Sequence, residues 1–194
     1  MKKYTYILLF SLFIILSGCD EDDDYENNEL ASSVQGWHFQ GRDCLACHNL
    51  DLSEDKHLLF AGTVYKNSNI LNQDDINNTC GGELLIEILD NTFTPVYKSK
   101  DYKDDSSSGY KGKGNVFILQ RQLRLLAAGT YAIRITDING TTMAQSNLTH
   151  KFTSQDYDIN NPVDGDNRLS CNSCHIKGGN QDPLYIEINA NLCK

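Results

Sequence analysis

The sequence predicts a mainly β chain, an antiparallel β-sandwich with a short cysteine-rich segment at each end. Two observations carry this expectation. Between residues 58 and 150 the chain is a series of short runs rich in Ile, Val, Leu, Tyr, Phe and Thr, cut by Gly, Asn, Asp and Ser clusters. On either side of that series stands the same pentapeptide pattern, Cys44-Leu45-Ala46-Cys47-His48 and Cys171-Asn172-Ser173-Cys174-His175. The chain accordingly divides into residues 1–18, 19–33, 34–57, 58–150 and 151–194.

The first segment is an export signal. Lys2 and Lys3 precede an apolar run from Tyr6 to Leu16, too short to span a bilayer as a helix, and the run closes in Leu16-Ser17-Gly18-Cys19. This stretch resembles the lipobox of bacterial lipoproteins. The resemblance implies cleavage before Cys19 and lipidation of that residue, with several acyl chains holding the protein to a membrane. An ordinary signal peptide that releases a soluble protein is the alternative.

Asp20-Glu21-Asp22-Asp23-Asp24 follows and opens a polar tether to about Ser33, because a block of like charge repels itself and cannot fold. It resembles the acidic export signal of Bacteroidota lipoproteins, which implies the outer membrane; a solvated spacer explains the same residues. Loss of Lys2 and Lys3 leaves 15 basic against 26 acidic residues, a formal charge of −11. That charge argues against a nucleic-acid partner and favours a basic redox partner.

In each Cys-x-x-Cys-His motif the two thiols are spaced to add across the two vinyl groups of one haem, and the adjacent His reaches the iron. The pattern is the attachment signature of c-type haem. It predicts two covalently attached haems, on Cys44 and Cys47 and on Cys171 and Cys174, with His48 and His175 as proximal ligands. A redox disulfide or a four-thiolate zinc site also uses Cys-x-x-Cys pairs, yet neither explains a His directly after both.

For the far side of each iron the candidates are His38, in Trp37-His38-Phe39, and His150, upstream of the second motif. Met143 is a further candidate that reads equally well as core, and His57 sits in a charged stretch that reads as solvated. Two bis-His haems leave no open site for oxygen or peroxide. With Cys19 lipidated and four cysteines on haem, Cys80 and Cys193 remain of the seven, and they are expected to form a disulfide in an oxidising envelope.

The strands expected in order are Leu58–Tyr65, Glu83–Asp90, Pro95–Lys98, Asn115–Arg121, Thr130–Asp137 and Thr141–Thr149. Alternation is clearest over Leu84–Leu89 and Tyr131–Thr136. Asp137-Ile138-Asn139-Gly140 provides a hairpin turn, Gln122–Ala128 reads as turn or short helix, and Lys103–Gly114 reads as a loop. The acidic run Asp156–Asn167 opens like a calcium loop. It lacks the required Gly and Glu, having Asn161 and Asn167 in their places, and reads better as a solvated loop.

Ala61-Gly62-Thr63-Val64-Tyr65, Glu83–Asp90, Gly114-Asn115-Val116-Phe117 and Gly129-Thr130-Tyr131 are similar, in this order, to the carboxypeptidase-regulatory-like, transthyretin-like β-sandwich, an Ig-like architecture. Set between two haem motifs, the region also looks like small dihaem envelope cytochromes in which such a sandwich carries haems at its rim. This resemblance implies a lipid-anchored electron carrier of the cell envelope that serves a redox partner protein or an extracellular acceptor. Two other functions fit the same residues. One is a peroxidase-like dihaem enzyme with an open iron, for which the sequence supplies no obvious Arg-His pair, although Arg42 and Arg168 are near the motifs. The other is a haem-bearing module that self-associates into extracellular arrays. Sandwich termini often lie close together, so the two motifs are expected to meet.

Overall fold

The computed structural model describes residues 40–80, 84–99, 114–123, 125–186 and 190–193. The expectations for Cys19, His38 and most of the Lys103–Gly114 loop lie outside the described residues. Among the described residues there are seven strands: β1 Leu58–Thr63, β2 Leu84–Leu89, β3 Pro95–Lys98, β4 Asn115–Leu119, β5 Gly129–Asp137, β6 Thr142–Gln145 and β7 His150–Phe152. They form two antiparallel sheets. One pairs β1 with β4; the other runs β3-β2-β5-β6, with β7 also paired to β5. The chain is thus mainly β. Among the described residues no helix is long and apolar enough to cross a membrane.

Both sheets contribute to one hydrophobic core. Phe60, Val116 and Ile118 come from the first sheet, and Ile86, Ile88, Ile133, Ile135 and Met143 from the second. Period-two alternation explains the second set, since every other residue of a strand points to the same face. On the opposite face of β2, Glu87 is buried beneath its cross-strand partners. Its carboxylate accepts from Arg134 Nε at 2.6 Å and lies 3.3 Å from Lys98 Nζ. A buried charge needs such a partner, and a forked guanidinium supplies it.

The hairpin between β5 and β6 turns through three residues. Asp137 N–H donates to Thr141 O at 3.0 Å, and Gly140 takes a positive φ of 85°. That is a turn closed by a left-handed residue, the conformation glycine adopts without steric cost. Gln122 begins no helix: its N–H closes a turn on Leu119 O at 3.0 Å.

The expected strand Thr141–Thr149 is two strands. β6 pairs with Arg134–Thr136, whereas β7 pairs with Gly129–Tyr131. The chain between them is held by Ser146, whose N–H donates to Ile133 O and whose Oγ accepts from Ile133 N–H, each at 2.9 Å. His150 therefore opens a new strand and does not close an old one.

β1 is buried along its whole length. One side faces the shared core. The remaining cover comes from the two Cys-x-x-Cys-His segments, so the strand at the centre of the molecule is also the platform for both motifs.

Candidate functional site

The first motif opens helix α1, Cys44–Asp51. Asp43 caps it: its carboxylate accepts from Ala46 N–H at 3.4 Å, satisfying one of the donors a helix start leaves without partners. Leu45 is fully buried and joins the core, which fixes the helix against the sheet. Asn49 then grips β1 as a neighbouring strand would. It donates to Leu58 O at 2.9 Å and accepts from Leu58 N–H at 2.8 Å.

The second motif opens the short helix α2, Cys171–Cys174. The chain is tied to β1 on both sides of it. Ala61 N–H donates to Leu169 O at 3.3 Å just before the motif, and Tyr65 N–H donates to Leu184 O at 2.7 Å after it. Between these anchors Cys171 lies directly on Gly62. A Cβ at Gly62 would stand 2.4 Å from Cys171 Cβ and 2.8 Å from its sulfur. Gly62→Ala should therefore push the motif off the strand and lower stability by about 1–3 kcal/mol, as overpacking does; urea unfolding of the two proteins measures it.

The two motifs interlock. Asp43, the cap of α1, also accepts from Ser170 Oγ at 2.8 Å, from Ser173 Oγ at 3.0 Å and from the Tyr157 hydroxyl. Buried Asn172 donates to Arg42 O at 2.7 Å and to Thr63 Oγ1 at 3.2 Å, and accepts from Thr63 N–H at 2.9 Å. The two residues between the cysteines of the second motif thus hold the two residues just ahead of the first. Asn172 Nδ2 also lies 3.8 Å from Cys44 Sγ.

The histidines of the two motifs are held alike. His48 Nδ1 lies 2.9 Å from Lys56 O, and His175 Nδ1 lies 2.9 Å from Asp182 O. A carbonyl only accepts, so each Nδ1 carries the proton, and in the neutral ring Nε2 carries the lone pair a metal needs. A backbone carbonyl in this role fixes ring orientation and tautomer.

His150 stands opposite His175. The ring centroids are 6.4 Å apart and the planes are within 15° of parallel. His150 Nδ1 lies 3.3 Å from Ser146 Oγ. Burial first, then the neighbouring His175 and Arg168, push the His150 pKa down to about 4, so its ring is neutral at pH 7. Burial also lowers the pKa of His48 and of His175. The three rings are thus shifted in the same direction, toward the uncharged form.

Two of the motif thiols, Cys44 and Cys171, are also held uncharged. Burial, with the Asp43 charge second, pushes Cys44 up to about 12, and burial raises Cys171 further. Zinc ligation and disulfide exchange use the thiolate, so these environments suit a thioether better than either. Cys47 is disulfide-bonded, and that bond excludes a thioether at the same atom. Cys80 and Cys193 form a disulfide that closes 113 residues.

The other candidates go elsewhere. Met143 is in the hydrophobic core. His57, expected to be solvated, is half-buried, with Nε2 3.1 Å from Leu52 O. In the acidic loop Asp158 and Asp164 each accept from the main-chain N–H two residues on, and Asp166 pairs with Lys151 at 2.5 Å. Among the described residues no three His, Cys, Asp or Glu side chains are grouped about a metal position.

Sequence reasoning passed over Asp43, Asn172, Ser173 and Tyr157. Only Asp43 carried a signal, as an Asp three residues ahead of the N–H it caps. The chain matches no known protein family, no curated protein and no solved structure.

Proposed function

We propose that the protein is a membrane-anchored dihaem c-type cytochrome that carries electrons in the cell envelope or at the cell surface. The observation that carries the reading is the pair His150 and His175. The two rings stack, with centroids 6.4 Å apart and planes within 15° of parallel. His175 is the proximal His of the second motif, so the ring facing it is the distal candidate for the same haem. His38 is retained as the distal candidate for the His48 haem.

Bound haem would supply the one-electron couple. The chain supplies the rest. Cys44, Cys47, Cys171 and Cys174 would hold the two macrocycles, each thiol adding across a vinyl group once a dithiol reductant has opened the Cys47 disulfide. Lys56 O and Asp182 O orient the proximal rings, and Asp43 and Asn172 tie the two attachment helices into one unit, as a two-centre relay requires. Two axial imidazoles leave no coordination position for a substrate, which favours electron transfer over a peroxidase-like reaction. For the fold, the two sheets around one core and the order of their strands support the transthyretin-like sandwich. The tether and lipidated Cys19 would place the domain at the outer membrane, where a redox partner or an extracellular acceptor reaches it.

The test is intact and peptide mass spectrometry of the mature protein made with a cytochrome c maturation system. Two haem masses, one on each motif peptide, are expected. Unmodified motif peptides with Cys47 still in its disulfide would refute the proposal.

A further inference from the structure

We infer that Arg168 is a positioning residue that sets His150 opposite His175 and puts a fixed positive charge beside the pair. The inference rests on the dihaem reading and concerns the second haem alone. His150 lies at the start of β7, where a strand end is free to shift unless something fixes it. Arg168 fixes it from both sides. Its main-chain N–H donates to Lys151 O at 2.9 Å, and its Nη1 donates to Thr149 O at 2.8 Å, so the carbonyls on either side of His150 are held by one residue. Its Nε donates to Gly165 O at 3.2 Å, which orients the guanidinium plane. The Lys151–Asp166 pair adds a second tie between the same two segments.

Arg168 is three residues ahead of Cys171. The residue that holds the distal candidate is thus in the same short segment as the proximal motif, and the distance between His150 and His175 follows from that one connection. A rigid planar fork suits this task, because it reaches two carbonyls in fixed directions. Its Nη1, 2.8 Å from the carbonyl just ahead of His150, also puts the charge beside that residue. A fixed cation near an iron stabilises the electron-rich reduced state, so it raises that centre's reduction potential, in part screened by solvent because Arg168 is exposed.

Hold and charge are separable. Arg168→Lys keeps the charge but cannot keep the fork; Arg168→Ala removes both. The experiment uses the mature dihaem protein, with carbon monoxide as the probe for an open iron and spectroelectrochemistry for the two potentials. For Arg168→Ala we expect a CO-reactive fraction approaching half of the total haem, and a change in the potential of one haem with the other unmoved. For Arg168→Lys we expect a similar CO-reactive fraction, with the potential of that haem higher than in Arg168→Ala because the charge is kept. Arg168→Ala protein that ignores CO with both potentials unchanged would overturn the inference. So would equal shifts at both haems, which mark general loosening. Wild-type protein without haem bands would instead overturn the dihaem reading on which the inference stands.

Discussion

His150→Ala should convert one of the two haems from six-coordinate to five-coordinate. The expected result is a high-spin contribution in the oxidised spectrum and CO binding by about half of the reduced haem, against none in the wild type. The reasoning is geometric: among the described residues His150 is the imidazole whose ring stacks on His175, with centroids 6.4 Å apart. Met143 is no substitute, because it is buried in the core and belongs to β6. The His48 haem should keep its low-spin bands, since its motif is held by Lys56, Asn49 and Asp43, none of which touches His150. Loss of both low-spin signals together would mean that His150 acts through the fold and not through one iron.

The second large effect concerns the Cys80–Cys193 disulfide. It closes 113 residues, and the chain-entropy relation gives roughly 4 to 5 kcal/mol for a loop of that size. Its position gives the bond a local role too. Cys80 N–H donates to Val64 O at 2.9 Å, and the chain that leads to Cys193 has already crossed the same edge at Tyr65, so the bond fastens the segment after the second motif beside β1. The Cys80→Ser/Cys193→Ser protein should unfold at a lower denaturant midpoint by about 4 kcal/mol, with the haem spectrum in dilute buffer unchanged. Guanidinium titration followed by circular dichroism measures this. A difference below about 1 kcal/mol would mean that the connection adds little to contacts already made by Tyr65, Leu184 and Ile186.

How much of this was legible in the sequence depends on the range of the interaction. Leu84–Leu89 and Tyr131–Thr136 announced themselves, because alternation is a property of each strand alone. The unbroken apolar run Leu58-Leu59-Phe60-Ala61 fits a strand buried on both faces, although nothing in the run says what covers it. The division of Thr141–Thr149 was not legible. Ser146-Asn147-Leu148-Thr149 continues a β-like composition, and the break arises because β5 is long enough to pair with two strands in succession along one edge.

The same division explains why the Cys-x-x-Cys-His motifs and His150 could be picked out from the sequence, but not which motif histidine His150 would face. Cys-x-x-Cys-His is a covalent geometry contained in five residues. The His150–His175 pair depends instead on the jog between β6 and β7 and on Arg168. Likewise Asp43 meets Ser170 and Ser173 across separations of 127 and 130 residues, which no spacing rule encodes. The expectation that the two motifs meet came from sandwich termini in general; the residues that join them came only from the fold.

The central claim is two covalent haems with both axial positions filled, one of them by His150. The visible spectrum of the mature protein, oxidised and then reduced, before and after carbon monoxide, tests it most directly. The account predicts sharp low-spin c-type bands from both haems that carbon monoxide leaves unchanged. A spectrum shifted by carbon monoxide would contradict the electron-carrier reading in favour of an open iron, and a protein with no haem bands would contradict the account altogether.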